Sequence, residues 1–220
     1  MVTPQCSGVL ISTRHILTAA HCVYQIIDDE KRNRICREPD RTAAHRRVTK
    51  GVHTPLTFLI YVGSGCPQLG SCAMQRIIYR AALITPHEEF NACELVHDIA
   101  IVELTRDVSE KEAIPICLPR RNEEIPEQVM AIGYGYDPNA KNKRNPGLQV
   151  AKFKEVGRMF PHIIAMDPAS DVCKGDSGGP LFGLKKDRHV LFGITSCGSN
   201  CGEEGKNEKT AEGQRFFFAQ

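Results

Sequence analysis

The chain has 220 residues, a formal net charge of +2 and 41% hydrophobic residues. That length can bury a core within one domain of two packed halves, and the hydrophobic content argues against disorder throughout. So small a charge argues against nucleic acid or a membrane surface as the main partner, and no apolar run approaches the roughly 20 residues of a membrane span.

From the N-terminus onward, the apolar segments are short, β-branched and separated by turn signals. Strands are predicted over 8–12, 57–62, 77–84, 99–104, 129–134, 148–153 and 190–195, and no window of a dozen residues carries a helical stripe, so the predicted class is all-β. Between the first two strands lies 28–50, DDEKRNRICREPDRTAAHRRVTK, which from Lys31 to Lys50 sets eight Lys/Arg against Glu38 and Asp40. A solvated surface loop is expected there, or alternatively an exosite for an acidic partner or polysaccharide. Residues 139–146, also polar and unpatterned, are expected to be a second surface loop. Residues 109–128, with prolines at 115, 119 and 126, read as a connector. The expected organisation is a single domain over 1–220, with a first β-barrel at 1–108, the connector at 109–128 and a second barrel at 129–220.

Ten cysteines without paired CxxC motifs point to disulfides and an oxidising, secreted setting. The chain opens Met1-Val2-Thr3-Pro4-Gln5-Cys6, with no basic and apolar leader, which leads to the expectation that the start of the natural protein is missing. The eight histidines are scattered without ligand spacing, so no metal and no cofactor is implied.

Chemistry concentrates in three segments. Lys174-Gly175-Asp176-Ser177-Gly178-Gly179-Pro180 places a serine in a glycine turn. Serine is a weak nucleophile until a base takes its proton and backbone amides hold the oxyanion that follows. Glycine permits the turn that aims those amides, because it has no Cβ to clash at positive φ. Alone, the motif could be a turn beside a strand. Leu17-Thr18-Ala19-Ala20-His21-Cys22 supplies a histidine, and His97-Asp98-Ile99-Ala100-Ile101-Val102-Glu103-Leu104 an aspartate entering an apolar strand. A buried carboxylate needs a partner, and orienting an imidazole is a recurrent reason to keep one.

In the order His, Asp, Ser these motifs resemble the trypsin-like serine proteases of the chymotrypsin family, from about Cys6 to about Cys201. The resemblance implies two packed antiparallel, six-stranded-type β-barrels, the first lacking its first strand, and a cleft at their seam. It implies His21 as general base, Asp98 as its orienting group and Ser177 as nucleophile, with the amides of Gly175 and Ser177 as the oxyanion hole. Asp171, six residues before Ser177, corresponds to the acid that selects Lys or Arg at the bottom of the specificity pocket, since an apolar side chain would leave it unpaired. Ser196 and Gly198 resemble the segment that pairs with an extended substrate. Cys197 stands where the family usually has a tryptophan, and the chain has none.

The resemblance also implies disulfides Cys6–Cys22 and Cys173–Cys201, and a tether for an N-terminal light chain at Cys117. Val129 and Gly183 stand where another family bridge would have its two ends. Cys36, Cys66, Cys72, Cys93 and Cys197 have no family partner; Cys66–Cys72 and Cys36–Cys93 are the pairings considered for four of them. The family's loop after the catalytic histidine is shorter, so 28–50 reads as an insertion at the cleft rim. Asp176 corresponds to the acceptor of a new N-terminal ammonium, and without one it is expected to turn away and disorder the oxyanion loop. That expectation makes this form inactive or weakly active. The partners implied are peptides or proteins with Lys or Arg at the cleavage site. The rival reading is a non-catalytic protease homologue, secreted as a protein-binding module.

Overall fold

Strands dominate the fold, a computed structural model that describes residues 6–63, 77–137, 139–143, 147–160, 162–166, 172–198 and 215–219. β1 (Val9–Leu10) and β2 (His15–Thr18) form a hairpin, and α1 (Ala20–Val23) follows at once. β3 (Tyr24–Ile26) then leads into α2 (Asp29–Ile35) and α3 (Arg41–Val48), and β4 (Thr49–Val52) returns antiparallel to β3. After a 3-10 turn at Pro55–Thr57 come the short pair β5 (Ile60–Tyr61) and β6 (Ile78–Tyr79), then β7 (Ala81–Pro86) and β8 (Ala100–Leu104). The main sheet of this half has the order β1-β2-β8-β7.

The second half is a seven-stranded sheet built from β9 (Val129–Gly133), β10 (Gln149–Phe153), β11 (Glu155–Met159), β12 (His162–Met166), β13 (Pro180–Lys185), β14 (Arg188–Gly198) and β15 (Arg215–Ala219). Its order is β10-β9-β13-β14-β15-β12-β11, with every pairing antiparallel. The all-β expectation holds, and the arrangement is that of the trypsin-like double β-barrel.

Each half buries its own apolar face. Val23, Val48, Ile84, Phe90 and Val102 pack in the first, and Val129, Phe153, Ile163, Leu181 and Phe218 in the second. A third cluster joins them: Val9, Leu17 and Ala19 from the first half meet Leu191 and Ile194 of β14. Apolar burial at about 25 cal/mol per Å² makes this seam a fixed contact, and the candidate site lies along it.

Two expectations need correction. The 28–50 segment is helical rather than a loop. The Asp28 carboxylate accepts from the Lys31 amide at 3.0 Å and Asp40 from the Ala43 amide at 2.9 Å, so each helix has a side-chain N-cap. Ala44 and Val48 are fully buried, and Cys36 is bonded to Cys93. Helices this short draw stability from tertiary packing rather than from propensity, and the two buried positions of α3 make too brief a stripe for periodicity to show. The second correction is at 57–62, where the expected strand is a 3-10 turn followed by only two paired residues. Pro55 favours that turn by fixing φ at its first position.

Candidate active site

Pairing of β2 with β8 sets the first two candidate residues side by side. Thr18 stands opposite Ala100 at the end of that ladder, so the chain leaving β2 runs along the chain entering β8. Ala19 and Ala20 are fully buried, and their small side chains let the turn into α1 pack closely. His21 then reaches Asp98. Its Nδ1 lies 2.7 Å from Asp98 Oδ2, and its backbone amide donates to Oδ1 at 2.8 Å. Asp98 is completely buried, and the hydroxyl of Ser196 on β14 donates to the same Oδ2 at 2.6 Å. Three donors thus converge on a carboxylate that would otherwise be strongly destabilised by burial. The carboxylate spans the seam, because His21 lies on α1 of the first half and Ser196 on β14 of the second.

Ser177 sits in the turn before β13. Among the described residues its hydroxyl carries no hydrogen bond, and neither does Nε2 of His21. Contacts of this kind commonly tighten only when substrate is bound. The turn itself is fixed from three sides. The Gly178 amide donates to the Thr195 carbonyl and the Gly179 amide to the Asp176 carbonyl, both at 2.8 Å, and the Ser7 amide donates to the Ser177 carbonyl at 2.8 Å. Gly175 and Gly178 have φ of +107° and +85°, conformations that suit glycine. A Cβ at Gly178 would also strike Thr18 Oγ1 and the Ser7 carbonyl. The amides at 176, 178 and 179 are all engaged, whereas among the described residues those of Gly175 and Ser177 donate to nothing. They are the two amides named for the oxyanion hole.

Asp176 does not turn away. It is buried, and its carboxylate accepts from the Gly135 amide at 2.8 Å and the Cys173 amide at 2.7 Å. Desolvation pushes its carboxyl above the ordinary value of 3.8, and the two amide bonds oppose that shift. Gly133 and Gly135 make room for it, since a Cβ at either position would run into the carboxylate. Backbone donors and two absent side chains hold this group inward, where the expectation had relied on an ammonium alone.

The disulfides Cys6–Cys22 and Cys36–Cys93 both form, and Cys173 is disulfide-bonded. Cys201, Cys66, Cys72 and Asp171 lie outside the described residues, so their expected pairings and the pocket acid are not placed. Cys117 and Cys197 are free and half-buried. Burial, with the nearby Asp98 charge, raises the Cys197 thiol, while Arg32 acts the other way. Gly198 closes β14 opposite Phe216.

Sequence reasoning missed Ser7, Gly133 and Gly135. The Ser7 hydroxyl donates to the Gly175 carbonyl at 2.8 Å and accepts from the Tyr134 amide at 3.2 Å. A usable signal was Gly133-Tyr134-Gly135 at a strand end, because spaced glycines there mark a close approach of another chain segment.

The chain matches the family model described as Trypsin over residues 2–56 and 68–212. It is 31% identical over 219 residues to phenoloxidase-activating factor 3 of Holotrichia diomphalia, covering 91% of this chain and 58% of that protein. Against serine protease grass of Drosophila melanogaster it is 30% identical over 224 residues, covering 90% and 54%. With serine protease 56 of Mus musculus it shares 30% over 229 residues, covering 92% and 32%. The chain therefore spans between about a third and three fifths of the length of these relatives. With a match along most of its length and the buried aspartate–histidine pair at its seam, the chain belongs to the trypsin family of serine proteases.

Proposed function

We propose that this domain is a serine endopeptidase that hydrolyses peptide bonds after Lys or Arg. The observation that carries the reading is the fully buried Asp98 carboxylate, bound by the His21 ring, the His21 amide and the Ser196 hydroxyl. In this scheme Ser177 Oγ attacks the scissile carbonyl carbon and passes its proton to Nε2 of His21. Asp98 fixes the imidazole with its proton on Nδ1 and stabilises the imidazolium without taking that proton. The amides of Gly175 and Ser177 receive the oxyanion, each donor supplying about 2.7–4 kcal/mol of transition-state stabilisation. The imidazolium then protonates the leaving amine, and water repeats the sequence on the acyl-enzyme. Ser196 and Gly198 carry the extended substrate backbone. Asp171 selects the basic side chain, a reading supported by its place in Asp171-Val172-Cys173-Lys174-Gly175-Asp176-Ser177.

The disulfides support a secreted protein. The free, half-buried Cys117 supports a tether to an N-terminal light chain. Active-site titration with a fluorophosphonate, beside Ser177→Ala, tests the nucleophile. Amide substrates ending in Arg, Lys, Phe and Ala test the pocket. Stoichiometric labelling that Ser177→Ala abolishes, with preference for Arg or Lys, is expected. Absence of labelling would favour the non-catalytic homologue, and a preference for Phe would reject Asp171 as the pocket acid.

A further inference from the structure

The histidines look scattered along the chain, yet the fold brings two of them face to face beside a carboxylate. His87 follows β7 and His97 immediately precedes Asp98. Their rings stack with centroids 4.7 Å apart and planes 11° from parallel. Glu89 Oε2 lies 3.8 Å from His97 Nε2. One ring nitrogen of each histidine and one Glu89 oxygen all fall within 4.8 Å of one another. The backbone holds this arrangement. The His87 amide donates to the Ile99 carbonyl at 2.9 Å, the Ile99 amide to the His97 carbonyl at 2.8 Å, and the Asn91 amide to the Val96 carbonyl at 3.1 Å. His97 sits at φ +53°, a region where histidine is enriched but ordinary residues are uncommon. The other cysteine–histidine group, Cys6, His21 and Cys22, is excluded because its two sulfurs are bonded to each other.

We propose that His87, His97 and Glu89 bind one Zn2+-type cation on the turn that leads into Asp98. Two imidazoles and a carboxylate are the donors of open zinc sites, and the nitrogen content disfavours Mg2+ and Ca2+. Tetrahedral bonds of about 2.0–2.1 Å place ligand atoms roughly 3.3 Å apart, so the three groups must close by something over an ångström. The Glu89 side chain is 69% exposed and that of His97 32%, which leaves both free to rotate inward. His87 Nδ1 accepts from the Glu89 amide at 3.2 Å. Ligation through Nε2 would move the His87 proton to Nδ1 and release that long bond. Water completes the coordination. The bound ion would join the two ends of the 87–97 turn, whose backbone already clasps the residues on either side of Asp98, and would stabilise the folded chain increasingly as free ion rises above its dissociation constant.

The test is calorimetric titration of the chelator-treated full chain with Zn2+, alongside Glu89→Gln, His97→Asn and a His53→Ala control. Asparagine tolerates positive φ, so His97→Asn keeps the turn. One equivalent of Zn2+ is expected in the native chain and in His53→Ala, with affinity lowered at least about tenfold in both ligand variants. A Zn2+-dependent rise in melting temperature should shrink in the same two variants. No Zn2+ uptake by the native chain, or native affinity in either ligand variant, would overturn the assignment.

Discussion

The hydroxyl of Ser7 donates to the carbonyl of Gly175 at 2.8 Å, a contact between residues 168 positions apart. Ser7 also accepts from the Tyr134 amide, and its own amide holds the Ser177 carbonyl. One small residue beside the Cys6–Cys22 bridge thus ties the first half to the turn that carries the candidate nucleophile, Ser177. A neutral hydrogen bond contributes about 0.5–1.5 kcal/mol. Replacing Ser7 with Ala should lower kcat by several-fold, with a smaller change in KM, because the Gly175 amide loses alignment. Steady-state kinetics on an arginyl amide substrate measures the split, and an unchanged kcat would show that the turn keeps its shape without Ser7.

Asp176 makes stability depend on pH in an unusual direction. Burial raises its carboxyl above the ordinary 3.8. A raised folded value means that its stabilising contribution is complete below 3.8 and is lost as pH rises through the folded value. The native chain should therefore lose stability relative to Asp176→Asn as pH rises above about 4 and through the raised folded value. Urea denaturation of both proteins across that range provides the comparison. A constant difference would mean that the two amide bonds fully offset desolvation.

Gly135 is the sharper test of the same pocket. A Cβ there would stand 2.5 Å from the Asp176 carboxylate, which the Gly135 and Cys173 amides hold in place. Gly135→Ala should destabilise by about 1–3 kcal/mol, the usual range for overpacking, and should lower fluorophosphonate labelling as Asp176 is forced outward. Gly157→Ala is the control, since nothing lies within 4 Å of a Cβ at that position.

The bridge between Cys36 and Cys93 encloses a sequence separation of 57 residues and fastens the two-helix insertion to the turn before Asp98. Replacing both cysteines with serine should destabilise by roughly 2–4 kcal/mol. It should also expose the Arg46 and Arg47 bonds to early tryptic cleavage. The remaining clamp is His45, whose Nδ1 accepts from the Ala92 amide at 2.9 Å and whose ring packs against Tyr24 and Phe90. Desolvation, with Arg46 adding to it, pushes this imidazole below 6.5. Its contribution is present above 6.5 and is lost as pH falls through the lowered value. In the serine variant, protection factors over 41–48, corrected for the intrinsic slowing of exchange in acid, should fall on mild acidification, and protection that ignores pH would show that His45 does not hold the helix.

The candidate site was legible as motifs, since His21, Asp98 and Ser177 each sit in a short one, and the structure brings the first two into contact. The seam was legible too, since the connector separates two strand-rich stretches. The helices at 29–35 and 41–48 were not. Their stripes are brief and their lysines and arginines dominate composition, so only the aspartates at 28 and 40 announced them. β15 was hidden for another reason. Phe216-Phe217-Phe218 shows neither alternation nor a helical period, so its pattern announces no element. Ser7 gave no signal at all, because its role comes from a contact between distant segments.

The position of β15 bears on how the molecule is made. It pairs with β14 on one side and β12 on the other, yet it follows the other described strands in the chain. During synthesis, β14 must wait with one edge unsatisfied, and Ser196 on that strand is a donor to Asp98. Exposed edges of this kind invite pairing with other chains, and late long-range pairings slow folding. The chemistry of the first half is thus completed by a strand that the last half cannot seat until residues 215–219 arrive, so a nascent chain would carry all three candidate catalytic residues before the sheet behind them is complete.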